Sequence, residues 1–324
     1  MGGTVAVPVT NGRQPGGNRS ASSHGRTPAR PGSALRRIRD GTTRRKTGTM
    51  HENTPHPKAP HPHAPHPHAP HPTTSPGPRP SAGRPAPVLA ARDLTRAFGS
   101  TIALDRLGLD IEAGGSLAIM GPSGSGKSTL LHTLAGIERP DAGSVLFQDP
   151  SGTTGPVEIA ALGESARSRL RRGSFGFVFQ SGLLIPELTA IENVAMALMI
   201  TGVPRSAALP RAAEWLHALG LAGMEERRIG QLSGGQAQRV AIARAQVTGA
   251  TVTFADEPTG ALDSATSSEV LDILLEATVG RGNTLVMVTH DPQVASRCHR
   301  VIHLLDGRIQ HDAGVPTPGA EARR

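Results

Sequence analysis

A glycine-rich run that ends in lysine and serine is the clearest place in this chain for chemistry. It reads Gly121-Pro-Ser-Gly-Ser-Gly-Lys-Ser128, with four residues between Gly121 and Gly126. Glycines let backbone N–H groups curl around phosphate oxygens, and the start of a helix adds a positive dipole. Lys127 would neutralise the β- and γ-phosphates, and Ser128 would offer its hydroxyl to Mg²⁺. The predicted nucleotide-binding residues are Gly121, Pro122, Ser123, Gly124, Ser125, Gly126, Lys127, Ser128 and Thr129.

Two adjacent carboxylates, Asp256 and Glu257, follow the apolar run Thr251-Val-Thr-Phe-Ala255. On a sheet that carries a phosphate site, such a strand runs beside that site, so Asp256 would hold Mg²⁺ through water. Side chains alternate along a strand, so Glu257 should point elsewhere and polarise the attacking water as a general base. An acidic pair after a strand is otherwise commonly a helix N-cap. The phosphate loop favours the catalytic interpretation.

A second glycine-rich helix start lies further along the chain. Leu232-Ser-Gly-Gly-Gln236 precedes the helical pattern Gln238-Arg-Val-Ala-Ile-Ala-Arg-Ala245. Because the N-terminus of a helix attracts anions, this segment is predicted to bind a phosphate. Taken alone, the segment is better interpreted as an ordinary helix start capped by Ser233.

Short apolar runs that alternate with helical patterns must position these residues. The alternation begins at Val88 and is typical of α/β folds. Strands are predicted over 88–94, 107–111, 116–120, 175–179, 251–255, 284–289 and 300–304, and a helix is predicted over 127–135. Between 180 and 249 the pattern is helical only, which predicts a helical lobe inserted into an α/β core.

Local signals define parts of this helical stretch. Thr189-Ala-Ile-Glu192 is a capping box, and Gly220 is predicted to end a helix over 211–219. The run 194–200 is the most apolar in the chain and indicates a buried helix face. It is much shorter than the roughly 18 apolar residues of a membrane helix, so the chain is predicted not to cross a membrane.

Residues 1–86 differ from the rest in composition. They are rich in Gly, Pro, Ser, Thr and Arg, and the sequence Ala-Pro-His-Pro-His repeats from Ala59 and Ala64. They hold almost no large apolar residue that could offset the entropy of ordering, so 1–86 is predicted to be a disordered tail, as is 313–324. The repeat is interpreted as a solvated linker or as a loose Ni or Zn site. Met50 is an alternative translation start.

Charge is divided unevenly between this tail and the remainder. Residues 1–90 hold 13 of the 34 Lys and Arg and only two acidic residues, which leaves 21 basic and 24 acidic residues elsewhere. The slightly acidic remainder argues against nucleic acid as a partner. The single cysteine, Cys298, excludes an intrachain disulfide and a Cys-based zinc site, and fits a reducing cytosol.

With the phosphate loop, the acidic pair and the Leu232–Gln236 segment in order, residues 88–311 resemble the ATP-binding subunits of ABC transporters. The resemblance implies an α/β fold over 87–312: a P-loop NTPase core with a parallel-sheet RecA-like lobe, an antiparallel β subdomain and an α-helical signature subdomain over about 181–249. It also implies an ATPase that uses ATP and Mg²⁺.

The resemblance assigns roles to further residues. Phe98 lies 23 residues before Gly121, where the family places an aromatic ring on adenine, although a Phe at a strand end is more often a core residue. Gln180 resembles the glutamine that reaches Mg²⁺ and the attacking water, and His290 resembles the histidine that contacts the γ-phosphate. The implied catalytic residues are Glu257, His290 and Gln180, the metal ligands are Ser128, Gln180 and Asp256, and further nucleotide contacts are Phe98, Ser233, Gly234, Gly235, Gln236 and the D-loop residue Asp263.

Residues 177–194 and the segment Ala255-Asp-Glu-Pro-Thr-Gly260 are similar to the lipoprotein-releasing and macrolide-exporting group, called the LolD/MacB type. This implies two copies arranged head to tail around two ATP molecules, and separate integral membrane permease subunits. It further implies a cytoplasmic location on the inner face of the membrane and export of a drug, peptide or lipid-linked cargo. The alternative is an ATPase of the FtsE cell-division type, which shares the architecture.

Overall fold

The computed structural model describes residues 87–152 and 155–313. These ranges contain ten strands: β1 Pro87–Phe98, β2 Thr101–Glu112, β3 Ser116–Met120, β4 Ala142–Phe147, β5 Val157–Glu158, β6 Phe175–Phe179, β7 Val252–Asp256, β8 Thr284–Val288, β9 Arg300–Leu305 and β10 Arg308–Ala313. They also contain seven α-helices: α1 Lys127–Leu134, α2 Glu164–Ser174, α3 Ala190–Met199, α4 Arg205–Ala218, α5 Gly234–Gln246, α6 Ser264–Thr278 and α7 Pro292–Ala295. Every predicted strand is present, and β1 and β2 are longer than predicted.

The strands form two sheets. A six-stranded sheet has the order β10-β9-β3-β8-β7-β6 and is parallel except for β10, which forms an antiparallel hairpin with β9. A four-stranded antiparallel sheet has the order β2-β1-β4-β5. Because β3, β6, β7 and β8 are parallel, the residues that follow them emerge at one edge of the sheet, where α/β folds bind ligands.

Apolar side chains cover both faces of the parallel sheet. On β8, Val286 and Val288 pack in a first core together with α1 and the antiparallel sheet. Leu285 and Met287 of the same strand pack in a second core with α3, α4, α5 and α6. Since both faces are buried, the strands appear in the sequence as continuous apolar runs rather than as alternating patterns.

Helices α3, α4 and α5 form the predicted helical lobe and share the second core with the sheet. Helix α4 begins at Arg205, six residues before the predicted start, because Ala208, Ala212 and Leu216 bury one continuous face at four-residue spacing. Gly220, with a φ of 74°, follows the end of the helix as predicted. The amide after it donates to the Leu216 carbonyl at 2.9 Å, the bond that closes a Schellman-type helix end.

Helix α3 is less buried at its C-terminal end than the apolar run 194–200 predicts. Thr189 and Glu192 form the predicted capping box at its start. Within the run 194–200, Val194 and Leu198 are buried, but Ile200 is 58 % exposed. The expectation of a buried face is wrong at this end, because α3 stops at Met199 and Ile200 lines a surface groove.

The predicted domain bounds, 87–312, stay a prediction. β10 ends at Ala313, one residue beyond the predicted end of the domain at 312. The predicted N-terminal tail, its His/Pro repeat, Met50 and the remainder of the predicted C-terminal tail lie outside the described residues. In the two described ranges, no helix has the length and apolar composition that crossing a membrane requires.

Candidate nucleotide site

The phosphate loop joins β3 to α1 at the carboxyl edge of the parallel sheet. Gly121, Gly124 and Gly126 have φ values of 148°, 79° and 99°, a region that residues with side chains rarely adopt. A Cβ atom on Gly121 would lie 2.2 Å from the Leu304 carbonyl oxygen, and one on Gly126 would lie 2.2 Å from that of Ala103. Glycine is therefore required at these two positions both by the backbone conformation and by neighbouring main chain.

The loop forms a cradle suited to phosphate. Lys127 Nζ donates to the carbonyl oxygens of Gly121 (2.9 Å) and Pro122 (2.8 Å), which holds the ammonium group against the loop. The Gly307 amide donates to the Ser125 carbonyl at 3.1 Å and so anchors the loop to the turn between β9 and β10. The buried Oγ of Ser125 has no hydrogen-bond partner among the described residues, and α1 begins without a side-chain cap. The cation, the buried hydroxyl and the uncapped helix start fit an anionic phosphate chain.

Oxygen ligands for a cation lie beside this cradle. The Oγ of Ser128, at the start of α1, is 3.5 Å from the Oδ1 of Asp256, at the end of β7. Hydroxyl and carboxylate oxygens are ligands that Mg²⁺ prefers, and phosphate oxygens commonly complete its coordination. The pair therefore fits the predicted Mg²⁺ site. Over 87–152 and 155–313 there is no cluster of three or more His, Cys, Asp or Glu that could hold a metal ion by itself.

The carboxylates of Glu257 and Asp256 point to different places, as predicted, but for a different physical reason. Strand alternation does not apply, because β7 ends at Asp256 and Glu257 is left-handed with a φ of 48°. This turn leaves Asp256 beside Ser128, whereas both carboxylate oxygens of Glu257 lie 2.9 Å from Nδ1 of His290. A non-glycine residue in this conformation is strained, and such strain concentrates at functional sites.

His290 and Gln180 follow neighbouring parallel strands at the same edge. The His290 side chain is 73 % exposed, against 21 % for Glu257, so its ring extends from the protein surface. With Nδ1 at Glu257, the nitrogen that faces other ligands is Nε2. Gln180 follows β6, and a Cβ atom on Gly260 would lie 3.1 Å from its Nε2. The four predicted chemical groups, Gln180, Asp256, Glu257 and His290, thus lie at or just after the ends of β6, β7 and β8.

The second glycine-rich helix start is built differently. Ser233 Oγ accepts a hydrogen bond from the Gln236 amide (3.3 Å), and the Gln236 side chain accepts one from the Ser233 amide (3.0 Å). This is a capping box, so the interpretation as a Ser-capped helix start is correct for the isolated chain. A Cβ atom on Gly235 would lie 2.5 Å from Thr266 Cγ2, so Gly235 allows α5 to approach α6 closely.

Asp263 also caps a helix. Its Oδ1 accepts a hydrogen bond from the Thr266 amide at the start of α6 (3.0 Å). This hydrogen bond from backbone N–H holds the pKa of Asp263 below its ordinary value. In the single chain the carboxylate therefore serves its own helix, and its contact with nucleotide stays a prediction.

The two glycine-rich helix starts lie in different layers. Helix α1 packs in the first core, on one face of the parallel sheet, and α5 packs in the second core, on the other face. The phosphate loop, Asp256, Glu257 and His290 share the carboxyl edge of the sheet, whereas Ser233 opens a helix of the helical lobe.

Phe98 stands at the end of β1 with a partner that the sequence analysis missed. Its ring is 47 % exposed, so the alternative of a core residue is wrong. The Arg96 guanidinium lies 4.7 Å from the ring centroid and donates to Asp141 at 2.8 Å. Asp141 also accepts from the Ala97 amide, and this bond and the one from Arg96 lower its pKa. The only local signal for this cluster is an arginine two residues before the aromatic ring, since Asp141 lies 45 residues away from Arg96.

The chain is similar in sequence to known proteins. Residues 104–260 match the family described as "ABC transporter". The chain is 45 % identical over 240 residues to a macrolide export ATP-binding/permease protein MacB of Paracoccus denitrificans, which covers 73 % of this chain and 35 % of that protein. It is 44 % identical over 229 residues to the lipoprotein-releasing system ATP-binding protein LolD of Geobacter metallireducens, covering 69 % of this chain and 99 % of that protein.

A solved structure has the same fold. It is a dimeric ATP-binding cassette in a post-hydrolysis state with ADP and Pi, and it matches with a TM-score of 0.63 and 35 % identity over 71 % of this chain and 99 % of that chain. This likeness confirms the predicted fold class. The chain spans about a third of the length of the MacB relatives that it matches.

Proposed function

This chain belongs to the ABC transporter family of ATP-binding proteins, and we propose that it is the ATP-hydrolysing motor subunit of an exporter. The permease would be a separate membrane protein, and the chain would lie on the cytoplasmic face of the membrane through contact with it. Relatives named for macrolide export, lipoprotein release and pyoverdine export support a drug, peptide or lipid-linked cargo.

One observation carries this proposal. The lysine, the proposed metal ligands, and the proposed general base with its histidine partner gather at a single edge of the parallel sheet. Lys127 lies on the phosphate loop, Ser128 lies 3.5 Å from Asp256, and Glu257 lies 2.9 Å from His290. Positioned charge of this kind supplies most of the catalysis in phosphoryl transfer, because the reaction needs little covalent participation by the protein.

The residues have distinct parts in the proposed reaction. Lys127 and the loop amides hold the β- and γ-phosphates, and Mg²⁺ at Ser128 and Asp256 would neutralise further negative charge. The Glu257 carboxylate takes a proton from water as the water oxygen bonds to the γ-phosphorus and the bond to ADP breaks. His290 orients that carboxylate through Nδ1.

Two copies are proposed to complete each site. The second glycine-rich helix start, Ser233–Gln236, is called the signature start. It lies in the helical lobe, away from the face of the sheet on which α1 packs. An exposed helix N-terminus attracts anions and would bind the γ-phosphate held by another copy. The dimeric form of the related cassette supports this arrangement.

A surface groove supports contact with a permease. The groove has a volume of about 380 Å³ and lies near Gln180, between the helical lobe and the first core. Its apolar lining includes Phe177, Phe179 and Ile200, and its positive charge comes from Arg171, Arg172 and Arg244. This chemistry suits a short amphipathic segment of the permease that carries apolar and acidic side chains.

The substitution Glu257→Gln tests the proposed function most directly. The amide cannot accept the water proton, so ATP turnover should fall at least about a hundredfold, the scale of a lost general base. ATP binding should be retained, and the variant should accumulate as an ATP-bound dimer in gel filtration.

The matched control is Glu276→Gln, in the last turn of α6 and away from the sheet edge. It should leave turnover unchanged. Near-normal hydrolysis by Glu257→Gln would contradict the assignment of Glu257, and absence of hydrolysis by the unmodified chain would contradict the proposed function itself.

A further inference from the structure

The loop after Gln180 holds two consecutive left-handed residues. Gly182 has a φ of 68°, and Leu183 has a φ of 46°. Leucine rarely adopts this conformation, so surrounding contacts must maintain it. The Leu183 side chain is 59 % exposed, which means that burial of its own apolar group does not hold the turn.

Side chains of α5 bind the left-handed turn of this loop, while Asn193 of α3 binds the main chain further along, at Ile185. Arg244 donates through one guanidinium nitrogen to the Leu183 carbonyl and through the other to the Gly182 carbonyl, both at 2.7 Å. Two turns earlier on the same helix, the Gln238 side-chain amide donates to the Phe179 carbonyl at 3.0 Å. The main chain on both sides of Gln180 is thus tied to α5.

The chemistry at this contact requires an arginine. A planar guanidinium presents two parallel N–H donors to two carbonyls, whereas a lysine offers a single nitrogen on a flexible stem. Arg244 is half-buried, and burial lowers its pKa, which reflects the loss of solvation that the charged hydrogen bonds must offset. Charged donors make stronger hydrogen bonds than neutral ones, so the loop is held firmly.

Ser233 of the signature start caps helix α5, so these contacts link the signature start to the Gln180 loop. We propose that Arg244, assisted by Gln238, is a positioning residue that places Gln180 according to the position of the signature helix. When α5 moves, the loop moves with it, and Gln180 enters or leaves its place beside the metal and the attacking water. This inference deepens the proposed function and rests on it.

A double-mutant cycle of Arg244→Lys and Gln180→Ala tests the inference in the full chain. Arg244→Lys should lower kcat for ATP about tenfold and leave KM nearly unchanged, because the phosphate loop still binds nucleotide. In the Gln180→Ala background the same change should lower kcat less than twofold, since a positioning residue has no effect once its target is absent. Equal losses in both backgrounds would overturn the inference, as would full activity of Arg244→Lys.

Arg239→Lys is the matched control on the same helix. Arg239 pairs with Glu269 of α6 at 2.8 Å and contributes to α5 packing away from the Gln180 loop. The factor by which Arg239→Lys lowers kcat should be the same in the unmodified background and in the Gln180→Ala background. If the melting curve shows that Arg244→Lys is unfolded, Gln238→Leu takes its place in the double-mutant cycle. This change removes the hydrogen bond from Gln238 to the Phe179 carbonyl.

Amide hydrogen exchange over residues 180–185 tests the tie without hydrolysis. The Gly182 amide donates to the Phe179 carbonyl at 2.9 Å and reports whether the turn is closed. Arg244→Lys should speed exchange in this segment, and Arg239→Lys should not. Unchanged exchange in Arg244→Lys would overturn the inference even if the unmodified chain hydrolyses ATP. Failure of the unmodified chain to hydrolyse ATP would instead be a failure of the proposed function.

Discussion

The phosphate loop and the signature start are both glycine-rich helix N-termini, yet glycine is there for different reasons. In the loop, Gly121 and Gly126 have positive φ values and approach carbonyl oxygens of other segments. In the signature start, Gly234 and Gly235 are not among the residues with positive φ. Instead, a Cβ atom on Gly234 would lie 3.0 Å from Leu262, and one on Gly235 would lie 2.5 Å from Thr266.

The N-terminal caps of helices α1 and α5 also differ. Helix α1 has Gly126 at its cap and no side-chain hydrogen bond there, which leaves its amides for a ligand. Helix α5 has a capping box of its own. The phosphate loop is therefore open for a ligand within one chain, whereas the signature start is complete as a structure, and we propose that its ligand comes from another copy.

The largest expected effect is on ATP hydrolysis when two inactive variants are mixed. This experiment tests whether the signature start acts on nucleotide held by another copy. Lys127→Ala should abolish hydrolysis, because the cation on the phosphates is lost, and Ser233→Arg should abolish it by blocking the partner's phosphate. Mixed before assembly, the two should give heterodimers in about half of the population by random pairing of equal chains. Each heterodimer contains one intact site, formed by the loop of the Ser233→Arg chain and the signature of the Lys127→Ala chain.

Recovery of part of the activity on mixing, measured as phosphate release, is the expected result. Each variant incubated alone at the same total concentration is the control. Full activity of Ser233→Arg alone would break the comparison, because the signature start would then have no contact with nucleotide.

Substitution inside the phosphate loop should have the next largest effect. Gly126→Ala combines a positive φ with a Cβ atom 2.2 Å from a main-chain oxygen, so it should lower the free energy of unfolding by at least about 2 kcal/mol. Gly124→Ala has a φ of 79° but nothing within 4 Å, so about 1 kcal/mol is expected. Urea unfolding of both variants measures the difference, and equal losses would show that the close approach to Ala103 is unimportant.

The signature glycine should behave differently because its neighbour is a side chain. Gly235→Ala should cost about 1–2 kcal/mol of unfolding free energy, as α5 is pushed from α6. Thr266→Ser removes the methyl group that the new Cβ would meet at 2.5 Å, so the double variant should recover most of that loss. No side-chain change can rescue Gly126→Ala in this way. Lack of recovery in urea unfolding would contradict the packing explanation for Gly235.

The smallest expected effect concerns the cap at Asp263. Hydrogen bonding from the Thr266 amide lowers its pKa in the folded chain. The stabilisation is therefore present above the ordinary pKa of an aspartate and is lost as the pH falls through the lowered value. Asp263→Asn keeps a good cap but does not titrate. The difference in Tm between Asp263→Asn and the unmodified chain should be constant near neutral pH. In acid, the Tm of the unmodified chain should fall relative to that of the variant.

If that difference does not change with pH, the Asp263 carboxylate is not held by α6 in solution. The carboxylate would then be free for nucleotide from the start, and the contrast between self-capped helices and the open phosphate loop would not extend to α6.

The sequence by itself determined the parts of this protein that depend on short patterns. The phosphate loop, the capping box at Thr189, the Ser-capped helix start at Ser233 and the strand before Asp256 are recognisable because a few neighbouring residues dictate backbone conformation or hydrogen bonding. The parallel core strands were predictable because burial on both faces leaves continuous apolar runs. The start of α4 and the exposed end of α3 were not, since both depend on which neighbours cover each face.

Only the tertiary structure decided how the chemical groups meet. The left-handed turn at Glu257, the pairing of Arg96 with Asp141 and the tie from Arg244 to the Gln180 loop have no local signature. Their partners lie far apart in the chain: Arg96 and Asp141 are 45 residues apart, and Arg244 and Leu183 are 61 residues apart. Contacts at such separations arise from the packing of whole elements, so the spacing of neighbouring residues carries no trace of them.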